Sequence, residues 1–188
     1  MGYNEPEEKY DKSLYQGDLI FTLAIFILIS VMAVYAAKPS IALSSYPMKQ
    51  LIFFILGISI VFFFLYLDLE QIEKLSIYIF LFCILMLVIL KFSSESIAPE
   101  KNGTKSWFQF GSVTLQPSEF MKIGLIMMLS SVISKANYKD FRSIREDIQL
   151  LLKIAGISAV TVSLILMQDA GTAGICMFFG AVMTFLSG

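Results

Sequence analysis

Long apolar runs separated by short polar segments dominate the hydrophobic pattern of this chain. The runs are continuous rather than alternating, which favours membrane-spanning helices over the strands of a transmembrane barrel. A helix needs about 20 residues to cross a hydrocarbon core about 30 Å thick. The pattern predicts six transmembrane helices, approximately at Leu19–Ala37, Met48–Leu67, Leu75–Phe92, Ser118–Ile133, Ile148–Met167 and Thr172–Gly188.

The polar segments between these runs are predicted to be connections. Residues 1–17 read as a polar cytoplasmic tail with no cleaved signal peptide. The remaining connections are a loop at 38–49, a turn at Asp68–Lys74, the longest loop at 93–117, a charged loop at 134–147 and a hinge at Gln168–Gly171. Because no linker separates two parts, residues 1–188 are predicted to form a single transmembrane domain.

Composition supports an all-α, polytopic membrane protein. The chain is 57% hydrophobic, whereas soluble domains contain about 45–50% apolar residues. Histidine is absent from the sequence, which excludes a histidine metal site or a histidine general base. The net charge of −1 gives no reason to expect a nucleic-acid partner. Cys83 and Cys176 lie in apolar runs and are predicted to be packing residues rather than redox groups.

The basic residues favour a cytoplasmic N-terminus. In that orientation seven lysines and arginines lie on the inner side and five on the outer side, in agreement with the positive-inside rule. The strongest contribution comes from Lys135, Lys139, Arg142 and Arg145 in the 134–147 loop. This orientation places the 93–117 loop and the Asp169 hinge outside.

The fourth predicted helix carries the most informative charges. Pro117 suits the first helical position, where its missing N–H is not needed. Glu119 and Lys122 then share a face near the start of an apolar helix, although a charge within the bilayer costs roughly 2.5–3.5 kcal/mol. Lys122 and the free N–H groups of the helix start are suited to bind an anion such as a phosphate. The alternative is an internal ion pair, or a lysine that reaches outward to water.

Three further features have structural interpretations, and for Asp169 a functional interpretation is equally open. Trp107, Phe108 and Phe110 are typical of anchors at the membrane interface. Asp169 is either the N-cap of the sixth helix or a carboxylate at the mouth of a helical bundle. The sixth helix carries small residues on one face, which favours close helix packing; they are Ala173, Cys176, Gly180, Thr184 and Gly188.

The stretch Gly103–Lys122 reads G-T-K-S-W-F-Q-F-G-S-V-T-L-Q-P-S-E-F-M-K. It resembles the signature of the SEDS family (shape, elongation, division and sporulation), which includes RodA and FtsW. The matching positions are Asn102-Gly103, Trp107, Gly111, Gln116-Pro117-Ser118-Glu119 and Lys122. A weaker match to the family's Q-P-D-x-G-T motif covers Asp169, Gly171 and Thr172, whereas Met167 and Gln168 depart from it.

This resemblance implies a peptidoglycan glycosyltransferase that polymerises lipid II at the outer face of the bacterial cytoplasmic membrane. It also implies a class B penicillin-binding protein as partner, and a fold of roughly ten membrane-spanning helices. The family's proposed catalytic aspartate lies in an outer loop after the sixth helix, beyond Gly188. The chain is therefore expected to be an N-terminal portion that is inactive alone. The substrate-binding residues expected from the motifs are Lys122, Glu119, Trp107, Gln116, Ser118 and Asp169.

No cofactor is identifiable from the sequence, although the diphosphate of lipid II is compatible with a divalent cation. Two other functions fit the same features. The first is a transporter of lipid II, and the second is a non-enzymatic membrane scaffold. A generic small-solute transporter leaves the Trp107–Lys122 motif unexplained.

Overall fold

The computed structural model describes residues 12–36, 46–101, 103–111, 113–137 and 143–187. The sequence-based predictions for residues 1–11, most of the 38–49 loop, Asn102, Lys139, Arg142 and Gly188 lie outside these ranges. Within them the chain forms six helices and one β-hairpin. The elements are α1 (Lys12–Ala36), α2 (Tyr46–Leu65), α3 (Leu69–Phe92), β1 (Phe108–Phe110), β2 (Val113–Leu115), α4 (Pro117–Asn137), α5 (Ile144–Leu166) and α6 (Ala170–Leu186).

The helices confirm the prediction of an all-α membrane protein. In the described residues, four helices are long and apolar enough to cross a bilayer, namely α1, α2, α3 and α5. Helix α6 is also apolar but has 17 residues, and α4 includes the charged residues Glu119, Lys122 and Lys135. The number of spans and the side on which the N-terminus lies stay predictions.

Helix α3 begins earlier than the hydrophobic pattern predicts. Asp68 is its N-cap residue, and the Asp68 backbone N–H donates to Gln71 Oε1 at 3.1 Å. Glu70, Glu73 and Lys74 are therefore helical, and the prediction of a turn over Asp68–Lys74 was wrong. A capped polar turn at the membrane surface extends a helix beyond its apolar residues, because water still reaches the charged side chains.

The charged loop before α5 is shorter than predicted for the same reason. Ser143 and Glu146 form a capping box, in which the Ser143 N–H donates to Glu146 Oε2 at 2.9 Å and the Glu146 N–H donates to Ser143 Oγ at 3.4 Å. This cap starts α5 at Ile144 instead of Ile148, and α4 continues to Asn137. Helix α1 likewise begins at Lys12, within the predicted tail.

Contacts within the chain divide it into two compact units, Met1–Tyr66 and Leu67–Gly188. In the first unit, Gln50 Nε2 of α2 donates to Ser30 Oγ of α1 at 2.9 Å. Such interhelical hydrogen bonds in lipid contribute roughly 0.6–2 kcal/mol. The apolar windows of both helices are unburied within the chain, which suits contact with lipid. The single transmembrane domain over 1–188 stays a prediction.

The second unit contains α3 to α6, a main apolar core between these helices and a smaller cluster around Leu90, Ala98 and Phe108. Its fully buried side chains include Leu87 of α3, Leu125 and Leu129 of α4, and Ile154 of α5. Cys83 and Cys176 belong to the same core as free thiols, which confirms their predicted role in packing. Gly124 of α4 faces α3, where an added Cβ would lie in ordinary contact 3.5 Å from Cys83 Sγ.

Helices α5 and α6 pack tightly at Gly180. A Cβ on Gly180 would lie 2.6 Å from Ser158 Oγ and 3.1 Å from Ser158 Cβ. Ser158 Oγ is buried and has no conventional hydrogen-bond partner in the described part of the chain. In glycine a hydrogen takes the place of the Cβ, and this Cα–H points toward Ser158 Oγ. Such a geometry is that of a weak Cα–H···O contact between two helices. Ala173, Cys176 and Gly180 are all buried, as expected for a packing stripe.

Replacing Gly180 with Ala is expected to lower the thermal stability of the protein in detergent micelles. Overpacking costs about 1–3 kcal/mol, which outweighs the gain of about 0.5–1 kcal/mol in helix propensity. Gly174→Ala is the matched control on the same helix, since nothing lies within 4 Å of its added Cβ. Circular dichroism melting should show a lower Tm for G180A and an equal or higher Tm for G174A.

Adding Ser158→Ala to G180A should restore part of the lost stability, because it removes the nearer of the two colliding atoms. A G180A protein that melts like the wild type would contradict the proposed contact between α5 and α6.

Candidate functional site

The N-terminal turn of α4 is built from buried residues that fix its position. Pro117 is the first helical residue and is fully buried, and Ser118 is 3% exposed. The Glu119 backbone N–H donates to the Gln116 carbonyl oxygen at 3.1 Å. Gln116 is therefore the residue directly before the first residue of α4. Pro117 occupies the position that the sequence predicts for it.

Glu119 and Lys122 form an ion pair within this helix. Lys122 Nζ lies 2.8 Å from Glu119 Oε2, and the side chains are 21% and 52% exposed, respectively. The pair has the i, i+3 spacing expected from the sequence. An ammonium carries three N–H donors, so pairing with one carboxylate leaves donors for a second anion.

Asp169 caps the start of α6. Its carboxylate accepts the Thr172 backbone N–H at 3.0 Å, the Thr172 hydroxyl at 2.7 Å and the Gln116 amide Nε2 at 3.1 Å. Of the two sequence interpretations, the N-cap is confirmed. The backbone N–H of Thr172, followed by its hydroxyl, lowers the pKa of Asp169 below its usual 3.8. The carboxylate is therefore ionised at neutral pH.

The two groups of side chains share the starts of α4 and α6. Gln116 precedes α4 and reaches across to Asp169, so the two helix starts are joined directly. Lys122 lies six residues after Gln116, about 9 Å further along α4, and α4 contacts α6. The ion pair therefore lies within about two helical turns of the Gln116–Asp169 hydrogen bond.

The 93–117 loop contains a hairpin that the sequence analysis missed. Strands β1 and β2 are antiparallel, with Phe108 opposite Leu115 and Phe110 opposite Val113. Gly111 lies in the turn with φ +59°, a conformation that glycine adopts without strain. The alternation of apolar and polar residues on either side of a glycine is a hairpin signal. Each strand has only three residues, too few for a periodic pattern to stand out.

Two hydrogen bonds attach the segment around the hairpin to the hinge between α5 and α6. Ser106 Oγ, before β1, donates to the Gln168 carbonyl oxygen at 2.8 Å. Gln116, after β2, donates to Asp169. The Gln168 side chain contacts the Leu87 carbonyl oxygen at 3.4 Å. Ser106 and Gln168 were not among the predicted site residues, and no spacing rule in the sequence connects them.

The three aromatic residues of the loop differ in their surroundings. Trp107 is half-buried, with Lys101 Nζ 5.9 Å from the centroid of its ring, within the range of a cation–π contact. Phe108 is buried against Leu90 and Ala98, so its prediction as an interface anchor was wrong. It is a core residue because its strand packs that face against α3. Phe110 is 60% exposed.

The site thus contains two pairs of side chains, Gln116 with Asp169 and Glu119 with Lys122. Ser118 lies between Gln116 and Glu119 in the sequence and is buried. Three cavities of the second unit have other linings. One of about 230 Å³ lies beside Lys135 and Lys153, one of about 500 Å³ between α5 and α6, and one of about 150 Å³ beside Lys91. Lys122 and Asp169 do not line any of these three cavities.

Comparison with known proteins adds family information to this geometry. The model of the FtsW/RodA/SpoVE family, described as cell cycle proteins, matches residues 12–188. The probable peptidoglycan glycosyltransferase FtsW of Haemophilus influenzae is 27% identical over 183 residues, which cover 93% of this chain and 44% of that protein. The chain spans less than half the length of the first curated relatives that it matches.

Two solved structures share the fold. The rod shape determining protein RodA of Thermus thermophilus superposes with a TM-score of 0.73 at 23% identity, over 91% of this chain and 53% of that one. A chain from a peptidoglycan synthase complex, solved to show the structural coordination of polymerization and crosslinking, gives a TM-score of 0.72 at 23% identity, over 91% and 47%. These similarities establish the fold.

Asp169→Ala is expected to destabilise the protein by about 0.5–2 kcal/mol, the usual cost of losing an N-cap. Asp169→Asn should retain most of the stability, because asparagine is a comparable N-cap. Thermal melting in detergent at neutral pH measures both differences. An Ala variant as stable as the Asn variant would contradict the capping role.

The stability of the wild type should also fall in acid. Because the folded pKa of Asp169 is depressed, its contribution is present above the unfolded pKa and is lost as pH falls through the folded pKa. Asp169→Asn should show a smaller loss of Tm over that acidic range. Identical acid profiles for the two proteins would contradict the lowered pKa.

Proposed function

Because the chain belongs to the FtsW/RodA/SpoVE family of cell cycle proteins, we propose that it forms the N-terminal membrane part of a peptidoglycan glycosyltransferase. Its relatives carry that activity in their names, and it shares the fold of RodA. The observation that carries the proposal is the Lys122–Glu119 ion pair, which keeps a cation in an apolar helix close to its start. In this proposal the pair binds the diphosphate of lipid II.

The reaction requires an anionic leaving group to be stabilised. The 4-hydroxyl oxygen of one sugar forms a bond to the anomeric carbon of another, and the bond from that carbon to the undecaprenyl diphosphate breaks. The hydroxyl proton passes to a general base, which the family resemblance places beyond Gly188. Negative charge develops on the departing diphosphate, and Lys122 supplies a fixed cation for it. Glu119 holds that cation in place through their 2.8 Å contact.

The remaining motif residues would position this cation. The Gln116–Asp169 hydrogen bond holds the starts of α4 and α6 together, so two positive helix ends face the same region. Because the Asp169 carboxylate already accepts three hydrogen bonds, we assign it a positioning role rather than the role of the base. Ser118 is buried at the helix start, and the half-buried Trp107 ring would pack against sugar or lipid.

A divalent cation bound by this chain does not fit the described residues. No group of three acidic or cysteine side chains converges in the part of the chain with assigned positions. Glu119 is engaged with Lys122, and Asp169 with the start of α6. A cation that accompanies lipid II would be held by the diphosphate itself, as part of the substrate.

The proposal includes a location and a partner. Four long apolar helices support a multi-pass membrane protein, and the cytoplasmic membrane of a bacterium is where lipid II is available. A class B penicillin-binding protein is the proposed partner for crosslinking. The similarity to a chain of a peptidoglycan synthase complex supports this partnership.

Binding of lipid II to the chain in nanodiscs tests the cation directly. Lys122→Ala should weaken binding about tenfold or more, since a hydrogen bond to a charged group contributes about 1.5–3 kcal/mol. Lys135→Ala is the matched control, because Lys135 is also on α4 and pairs with Glu73 at 3.1 Å. Native mass spectrometry or fluorescence titration with labelled lipid II gives the affinities.

Equal weakening by both variants would contradict a specific role for Lys122. In a longer protein that contains this chain, the same Lys122→Ala change should abolish the glycan polymer formed from purified lipid II in detergent, whereas Lys135→Ala should leave it. Retained polymer with Lys122→Ala would overturn the proposed function, and lipid II binding without polymer from the unaltered longer protein would favour a transporter.

A further inference from the structure

The β-hairpin has one apolar face and one polar face. Its register places Phe108 opposite Leu115 and Phe110 opposite Val113, and side chains two residues apart in a strand lie on the same side. The rings of Phe108 and Phe110 have centroids 6.0 Å apart, as expected for neighbours on one face. The opposite face carries Gln109 and Thr114, both of which are exposed.

The apolar face is covered at the base of the hairpin and uncovered at its tip. Phe108 is 7% exposed and packs with Leu90 of α3 and Ala98, and Leu115 borders the same cluster. One step nearer the turn, Phe110 is 60% exposed and Val113 is 40% exposed. The tip therefore projects apolar surface past the core, next to the end of a membrane-spanning helix.

The position of the hairpin in the chain fixes the environment of this surface. The hairpin packs on the C-terminal end of α3 through Leu90, and α3 is long and apolar enough to span a bilayer. Strand β2 ends two residues before α4 begins at Pro117. The exposed tip thus lies near the end of a helix that can span a bilayer. The Gln109 N–H of β1 donates to the Ile97 carbonyl oxygen at 2.8 Å, and β2 forms the other edge of the two-stranded hairpin. An open sheet edge is excluded from the hydrocarbon core, which restricts the hairpin to the interface.

We propose that Phe110 and Val113 insert into the boundary between headgroups and acyl chains, in the leaflet next to the end of α3 and the start of α4. The occupant of the exposed apolar tip is therefore the bilayer. Phenylalanine and other large apolar side chains of interfacial segments are buried at this depth. The insertion holds the hairpin, and with it Trp107 and Gln116, at a fixed depth. It depends on the membrane alone and not on peptidoglycan chemistry.

Charge indicates that the attraction is apolar rather than electrostatic. Residues 93–116 carry two glutamates and two lysines and so have no net charge. Insertion of the tip should therefore be the same in zwitterionic and anionic membranes. A surface that binds anionic headgroups would instead respond to the lipid charge and to salt.

The sequence provides a direct measurement, because Trp107 is its one tryptophan. In a Trp107→Phe background, Phe110→Trp reports on the tip, and Gln109→Trp is the matched control on the polar face of the same strand. Each full-length variant is reconstituted into phosphatidylcholine vesicles, with or without phosphatidylglycerol. Tryptophan emission is then recorded with aqueous iodide as one quencher and lipids brominated near the carbonyl end of the acyl chain as the other.

The tip tryptophan should show blue-shifted emission, strong quenching by the brominated lipids and loss of iodide quenching, equally in both vesicle types. The control at position 109 should show red-shifted emission and iodide quenching. Val113→Trp in the same background provides a second probe of the apolar face if Phe110→Trp impairs folding.

Iodide quenching of the tip equal to that of the control would overturn the proposal. Protection of the tip from both quenchers would overturn it as well, since that result places the tip against protein, such as a second copy of the chain. Quenching by brominated lipids only when phosphatidylglycerol is present would contradict apolar insertion.

Discussion

The hydrogen bond from Gln116 to Asp169 joins the two helix starts on which the site depends. The bond is 3.1 Å long and links residues that are 53 positions apart in the sequence. The same Asp169 carboxylate caps α6 through Thr172. One carboxylate therefore satisfies free N–H donors at the start of α6 and the amide at the start of α4. Removing it would leave buried donors unpaired, which costs more than the bond contributes when present.

The connections around this bond act together. Ser106 donates to the carbonyl oxygen of Gln168, the residue before Asp169, so the segment that includes the hairpin meets the hinge at both its ends. The buried face of the hairpin packs on α3 through Phe108. The hinge, the hairpin and the start of α4 thus form one connected polar and apolar layer at the end of the second unit. Trp107 lies in this layer between Ser106, which bonds to the hinge, and Phe108, which packs on α3.

The sequence predicted what depends on local spacing and missed what depends on tertiary packing. The helices were predictable because lipid requires long apolar runs, and the Glu119–Lys122 pair because residues three apart share a helix face. Helix ends were misplaced where a cap such as Ser143 carries the helix into polar residues. The Gln116–Asp169 bond was not predictable, because it requires α4 and α6 to be neighbours. The hairpin was missed because its strands are short, although Gly111 marked its turn.

The two ion pairs of α4 differ in whether the lysine or the glutamate is less exposed to water. This difference indicates which lysine depends more on a neighbouring anion. In the pair at the end of the helix, Lys135 is 65% exposed and Glu73 is 27% exposed. At the start of the helix the order is reversed, since Lys122 is 21% exposed and Glu119 is 52% exposed. A largely buried lysine depends more on a neighbouring anion than an exposed lysine does, because water solvates it less. In the proposed function, Lys122 is therefore the cation of α4 that gains most from the diphosphate, which its remaining N–H donors would bind while Glu119 holds it in place.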